Sequence, residues 1–91
     1  MSQAARHIIF KGRVQGVGFR YTAQRIASEF PITGYVRNLS DGTVEAAMQG
    51  SEEDIQNCLA KIQDYFGSYI RNIDVSPMVY NPHLKDFDIT F

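Results

Sequence analysis

The chain has 91 residues, of which 44% are apolar and 21% are charged, and its net charge is −1 at pH 7. This length suits one compact core, so we expect residues 1–91 to form a single domain, and the composition excludes a disordered chain. The lone cysteine, Cys58, cannot form an internal disulfide. With no visible signal peptide and no stretch long enough to span a membrane, the sequence predicts a cytoplasmic protein.

The charges are unevenly distributed along the chain. Residues 1–40 contain six Lys and Arg against one acid, whereas residues 41–91 contain three Lys and Arg against nine acids. Two interpretations are open. The asymmetry is either chance in a short chain or a local field that favours an anion near the N-terminal half.

A strand, a glycine-rich loop and a helix are predicted first. Residues 6–14 alternate apolar and polar side chains, which is typical of a strand. Residues 15–19 form the loop, and apolar residues then recur at helical spacing from Phe19 to Phe30. We expect Pro31 to end this helix, because the residue before a proline is driven out of the helical region.

A hairpin and a second helix follow. Residues 33–38 and 43–49 predict two strands, joined through Asp41 and Gly42, and Asp-Gly is a strong hairpin signal. Ser51, followed by three acidic residues, resembles a capping box. It opens a helix with an apolar stripe that Gly67 ends.

The C-terminal part is less regular. Residues 70–75 show alternation too irregular to assign a buried face, and residues 76–86, with two prolines, predict a loop or an edge. Residues 87–91 alternate as a terminal strand. The order is therefore βαββαβ with a short fifth strand. Two right-handed crossovers around a hairpin predict a ferredoxin-like α/β sandwich of the α+β class, with an antiparallel sheet and both helices on one face.

The glycine-rich loop is the strongest functional signal. The first N–H groups of a helix lack internal partners, and the helix dipole favours negative charge there. Glycines let the preceding loop curl so that further N–H groups converge on a phosphate-sized anion. Arg20, in the first turn, can add two charge-assisted hydrogen bonds. The alternative is a tight turn with an incidental arginine. The Walker pattern is absent, and Tyr21 occupies the third glycine position of the dinucleotide pattern.

Two segments closely resemble the acylphosphatase family: GRVQGVGFRYTAQ, residues 12–24, and TGYVRNLSDGTVE, residues 33–45. The family has a glycine loop ending in Gly-Phe-Arg, a helix, and then Gly-aromatic-x-basic-Asn, a turn and Gly-Thr-Val-Glu. The resemblance implies a hydrolase acting on acid anhydrides, which converts acyl phosphates to a carboxylate and inorganic phosphate. It also implies that phosphate or sulfate competes with the substrate, and we expect a monomer.

The resemblance implies a role for each residue that matches the family motif. Arg20 matches the substrate-binding arginine, and Asn38 matches the asparagine that orients the attacking water. Gly12 and Thr43 match positions that support this asparagine. The backbone N–H groups that match the phosphate cradle belong to Gln15, Gly16, Val17, Gly18, Phe19 and Arg20.

The chemistry of acyl phosphates agrees with this assignment. Their leaving group is a carboxylate with a pKa of about 4–5, so no strong general acid is needed. Because the transition state of phosphoryl transfer is loose, an arginine, a ring of N–H groups and a neutral amide can suffice. We therefore expect neither cofactor nor metal. Cys58 is expected in the core, and His7 and His83 at the surface or at an edge.

Four alternatives stay open at this point. An RNA-binding module of the same topology needs aromatic residues on the third strand, which residues 43–48 lack, so no nucleic acid partner is expected. An acylphosphatase-like domain of a larger maturation protein would be followed by CxxC pairs, and the chain given ends at Phe91. A non-catalytic anion-binding or regulatory domain is disfavoured by the presence of Arg20 and Asn38. Asn38 itself is in the position of a turn cap.

Two stretches depart from the family pattern. Residues 29–32 replace a glycine between small apolar residues, which puts the end of the first helix in question. The loop after the second helix contains Tyr65 and Tyr69, which either fill the edge of the core or form an exposed patch for a partner.

Overall fold

The computed structural model describes residues 3–91. Its elements follow the predicted βαββαβ order with a short fifth strand, and both helices pack on one face of a single sheet. In chain order they are β1 Ala4–Gly12, α1 Phe19–Ala27, β2 Thr33–Asn38, β3 Val44–Gly50, α2 Glu52–Phe66, a 3-10 turn Gly67–Tyr69, β4 Ile70–Pro77 and β5 Phe87–Ile89. This arrangement confirms the ferredoxin-like α+β class.

The sheet has the strand order β4-β1-β3-β2-β5. The first four strands pair in the predicted antiparallel manner, whereas β5 adds to β2 in parallel, from Gly34↔Phe87 to Val36↔Ile89. The parallel pairing arises because residues 78–86 carry the chain from one edge of the sheet to the other.

The crossing segment is hydrogen-bonded to three strands in turn. Met78 N donates to Ala5 O at 3.1 Å, Asn81 N donates to Gln49 Oε1 at 2.6 Å, and Gly34 N donates to Asp86 O at 2.8 Å. Residues 78–86 therefore run over the ends of β1, β3 and β2 before β5 begins.

Three predicted boundaries are corrected. β1 ends at Gly12 rather than residue 14, because its register with β4 shifts between Lys11 and Gly12. α1 ends at Ala27 rather than Phe30, since the following residues make tighter three-residue bonds, such as Phe30 N to Ala27 O at 3.0 Å. Phe91 lies outside β5 and is 96% exposed.

The irregular pattern of residues 70–75 has a structural cause. β4 is an edge strand that pairs only with β1, and of its side chains only Ile70 is buried. Ile70 and Ile73 both pack against the core, but the register shift between Lys11 and Gly12 lies between their partners on β1, so the apolar residues of β4 do not alternate regularly.

The core lies between the sheet and the helices and fixes both ends of the glycine-rich loop. Val14, before the loop, is fully buried, and Phe19, after it, is 2% exposed. Phe19 stacks on Phe66 with ring centroids 4.4 Å apart and meets the edge of Phe10 at 5.0 Å. Cys58 is fully buried, as predicted, and burial raises the pKa of its thiol to about 12.

Neither helix within residues 3–91 combines the length and the apolar character needed to cross a membrane.

Candidate active site

The loop between β1 and α1 turns at two glycines in the left-handed region. Gly16 has φ 79° and Gly18 has φ 73°, and Gly18 is the N-cap residue of α1. A Cβ atom at either position would meet no atom within 4 Å. These positions therefore favour glycine because of the backbone conformation, not because of crowding.

The N-terminus of α1 is left open. Thr22 N donates to Gly18 O at 3.0 Å, so the N–H groups of residues 19–21 precede the first α-helical bond and have no intrahelical acceptor. No side chain caps this end, and its first turn contains no acid. α2 differs, because Ser51 caps it and three acids occupy residues 52–54. Of the two α-helices in residues 3–91, α1 is thus the one with an unneutralised positive end.

A cavity of about 240 Å³ lies in front of this helix end. It brings together five of the predicted site residues: Gly16 and Gly18 from the loop, Phe19 and Arg20 from α1, and Asn38 from the end of β2. The residues lining the cavity are Val14, Gly16, Gly18, Phe19, Arg20, Tyr21, Asn38, Ile89 and Phe91.

Arg20 is available to an external anion. Its guanidinium Cζ lies 5.0 Å from the ring centroid of Phe91, and it forms no ion pair within residues 3–91. Three other basic residues of the N-terminal half are paired with acids of the C-terminal half. These pairs are Arg6–Glu52 at 3.0 Å, Lys11–Asp74 at 2.9 Å and Arg37–Glu45. Folding therefore neutralises part of the charge asymmetry and leaves Arg20 at the cavity.

Asn38 has a buried side-chain oxygen with no hydrogen-bond partner in the described part of the chain. A turn cap would use this oxygen to accept from a nearby backbone N–H. The turn is instead capped by Asp41, whose Oδ1 accepts from Thr43 N at 3.0 Å and from Thr43 Oγ1 at 2.6 Å. The side-chain oxygen of Asn38 thus plays no part in closing the turn.

Gly12 and Thr43, the predicted supporting residues, do not line the cavity. The hydroxyl of Thr43 donates to Asp41. Gly12 has φ 129°, and a Cβ there would lie 2.3 Å from Tyr69 O, so its visible role is the close approach of β1 to the start of β4. Their proposed support of Asn38 stays a prediction.

Several contacts of this region were not predicted from the sequence. Tyr21, Ile89 and Phe91 line the cavity, and Ile89 and Phe91 come from the far end of the chain. The side chain of Gln15 donates to two carbonyl groups of the β2–β3 turn. Backbone carbonyl partners leave no trace in the sequence, so only the fold reveals this contact.

The other titratable and aromatic groups of interest lie elsewhere. His7 Nε2 and Glu45 Oε2 are 2.7 Å apart on the sheet. Burial raises the pKa of Glu45, but hydrogen bonds from His7 and Arg37 outweigh it and hold the pKa below its usual value. Tyr65 and Tyr69 are 61% and 44% exposed, so neither ring fills the edge of the core.

No group of three or more His, Cys, Asp or Glu side chains comes together within residues 3–91.

Comparison with known proteins gives one family. The acylphosphatase family model matches residues 6–89. An acylphosphatase from Bordetella parapertussis is 51% identical over 53 residues, which are 58% of this chain and 56% of that protein. The match thus spans little more than half the length of that relative.

Solved structures extend the likeness to the whole fold. The crystal structure of acylphosphatase from Bacillus subtilis has a TM-score of 0.88 and 32% identity, covering 99% of this chain and 100% of that one. HypF from T. kodakarensis has a TM-score of 0.83 and 32% identity, but this chain covers only 12% of it. With the family model matching nearly its full length, the chain belongs to the acylphosphatase family.

Proposed function

We propose that this chain hydrolyses acyl phosphates to a carboxylate and inorganic phosphate without a metal. In this proposal, Arg20 and the backbone N–H groups of residues 15–20 hold the phosphate, and Asn38 orients the attacking water. The family membership supports the reaction class, and the contents of the cavity support the roles of the residues.

The unpartnered oxygen of Asn38 is the observation that carries the proposal. A buried amide oxygen without a partner costs about 1–3 kcal/mol, so native proteins seldom keep one without a use. Oδ1 can accept a hydrogen bond from a water, which would turn a lone pair of the water toward the phosphorus. Because a neutral amide does not act as a base near neutral pH, Asn38 orients the water and does not take its proton.

The helix end and Arg20 supply the charge that a phosphate needs. The N–H groups of residues 19–21 and the unpaired guanidinium converge on one cavity. Charge-assisted hydrogen bonds from such donors are about twice as strong as neutral ones. As the bond from phosphorus to the acyl oxygen lengthens, charge spreads over the phosphoryl oxygens, and these fixed donors stabilise it without rearranging.

The bonds and charges of the step balance. The oxygen of the water forms a bond to phosphorus, and the bond from phosphorus to the acyl oxygen breaks with its electron pair leaving on the carboxylate. An acyl phosphate dianion and water give a carboxylate monoanion and dihydrogen phosphate, so total charge is conserved. The carboxylate leaves unprotonated because its conjugate acid has a pKa of about 4–5.

The test is the release of inorganic phosphate from acetyl and benzoyl phosphate in the presence of EDTA. We expect turnover with both compounds and none with a stable phosphomonoester, whose alkoxide leaving group would need protonation. The Arg20→Gln variant should lose both turnover and inhibition by phosphate. Turnover that chelation abolishes and a divalent cation restores would contradict the metal-free mechanism.

A non-catalytic anion-binding domain is the second candidate. The likeness to a segment that is 12% of HypF favours it, because that larger protein has also been solved in a phosphate- and nucleotide-bound form. Binding of sulfate or phosphate by a well-folded protein that turns over no acyl phosphate would select this candidate.

A further inference from the structure

The side-chain amide of Gln15 uses both of its hydrogens in contacts with a distant part of the chain. Nε2 donates to Leu39 O at 2.7 Å and to Thr43 O at 2.8 Å. The side chain is half-buried. An amide –NH2 group carries two donors in one plane, so a single side chain can bridge two carbonyl groups.

These two carbonyl groups mark the ends of the β2–β3 turn. Leu39 N donates to Thr43 O at 2.9 Å, and Gly42 N donates to Leu39 O at 3.2 Å. A carbonyl oxygen has two lone pairs, so each accepts one hydrogen bond from the turn and one from Gln15. The glycine-rich loop and the turn therefore share one hydrogen-bond network.

The position of this network in the sheet matters for the cavity. Gln15 precedes Gly16, and Leu39 follows Asn38, and both Gly16 and Asn38 line the cavity. β1 and β2 are not neighbours, because β3 lies between them. Backbone hydrogen bonds between adjacent strands thus cannot join the loop after β1 to the end of β2. The side chain of Gln15 makes this connection across the start of β3, where Thr43 lies.

We propose that the side chain of Gln15 is a positioning residue that fixes the separation between the phosphate cradle and Asn38. The kinetic consequence rests on the function proposed above. A misplacement of about 1 Å between reacting groups can lower a rate by about 100-fold. Gln15 thus acts through Asn38, and its side chain need not touch the substrate.

The first variant is Gln15→Met, which keeps the length of the side chain and the backbone N–H but removes both donors. We expect kcat for benzoyl phosphate to fall by about 10- to 100-fold, since the water is no longer held in line. The inhibition constant for phosphate should change by less than about threefold, because the cradle keeps its own donors. A kcat within twofold of wild type would overturn the proposal.

The matched control is Asp41→Ala, which removes two hydrogen bonds from the same turn without touching the loop. We expect it to lower the melting temperature and to leave kcat within about threefold of wild type. If Asp41→Ala lowers kcat as much as Gln15→Met does, the effect belongs to a loosened hairpin, and Gln15 has no special role.

A third variant, Gln15→Glu, provides a pH signature that a merely structural role would not give. A carboxylate facing two carbonyl oxygens is repelled, so its pKa should rise above the ordinary value of about 4.3. Once protonated, it regains one donor. The ratio of its kcat to that of wild type should therefore increase as the pH is lowered from 7 to 5, whereas the ratio for Gln15→Met stays flat. A flat ratio for Gln15→Glu would count against the hydrogen bond.

Amide hydrogen exchange separates this inference from the function it rests on. In Gln15→Met, the N–H of Leu39 should exchange at least tenfold faster than in wild type, while an N–H within α2 is unchanged. This holds whether or not the protein hydrolyses anything. A wild-type protein without acyl phosphate turnover would refute the proposed function alone, and unchanged exchange at Leu39 would refute the Gln15 contact.

Discussion

Replacement of Asn38 by alanine distinguishes a catalytic role from a structural one, because the first predicts a large loss of turnover and the second a loss of stability. The buried oxygen of Asn38 has no hydrogen-bond partner among residues 3–91, so alanine breaks no hydrogen bond that this oxygen accepts from the protein. Alanine removes the packing of one half-buried side chain. We therefore expect the free energy of unfolding to change by no more than about 1 kcal/mol.

The expected effect on turnover is much larger. Removing one positioned polar group from an enzyme site costs about 100- to 1000-fold in kcat, or about 2.7–4 kcal/mol. Affinity for inorganic phosphate should hardly change, because Arg20 and the backbone N–H groups remain in place. Asn38→Asp should differ, since its negative charge next to the anion should raise the inhibition constant for phosphate.

The assay compares wild type, Asn38→Ala and Asn38→Asp in phosphate release, phosphate inhibition and thermal unfolding. A stability change of 1 kcal/mol corresponds to a shift in melting temperature of about 4–8 °C for a domain of this size. A folded Asn38→Ala protein with near wild-type turnover and a lowered melting temperature would show that Asn38 is a turn residue. That result would remove the central step of the proposed mechanism.

Three substitutions and one labelling experiment test other parts of the structure. Gly12→Ala should lower the free energy of unfolding in urea by more than about 2 kcal/mol, because its Cβ would lie 2.3 Å from a backbone oxygen at a positive φ. Native Cys58, with its pKa raised by burial to about 12, should react with a thiol reagent only as fast as the protein unfolds. Folding lowers the pKa of Glu45, so this carboxylate stabilises the fold above about pH 4.5 and stops doing so as the pH falls through its folded pKa. The Glu45→Gln variant should therefore lose less stability between pH 5 and pH 3 than wild type does. Tyr21→Glu puts an acid in the first turn of α1 and should weaken inhibition by sulfate, whereas Tyr21→Gln should not.

The elements that the sequence predicts well are those in which local and tertiary requirements agree. α2 begins at its capping serine and ends at Gly67, and the hairpin lies on either side of Asp41 and Gly42. The end of α1 was predicted three residues too late, because Phe30 still packs against the core from a tighter turn. The spacing of apolar residues indicates which side chains are buried, and here a side chain beyond the end of the helix still packs against the core.

Features that depend on distant pairings were beyond sequence reasoning. The parallel placement of β5 follows from residues 78–86 crossing the sheet, and none of their backbone contacts has a sequence signature. In the cavity, the motif indicated Gly16, Gly18, Phe19, Arg20 and Asn38, but not Ile89 and Phe91 from the C-terminal end. The bridge from Gln15 was hidden for the same reason, since its acceptors are backbone carbonyls.

The N-termini of α1 and α2 differ, and this difference bears on the location of the functional site. α2 begins with a serine cap and three acids in its first turn. α1 has neither, and two glycines in the left-handed region, Gly16 and the N-cap Gly18, precede its first turn. Nearby, Asn38 keeps a buried oxygen unpaired although the adjacent turn is fully capped by Asp41. These departures all lie at one cavity. Since the same chain builds a well-capped helix elsewhere, they support the proposal that an anion and a water complete the interactions at this site.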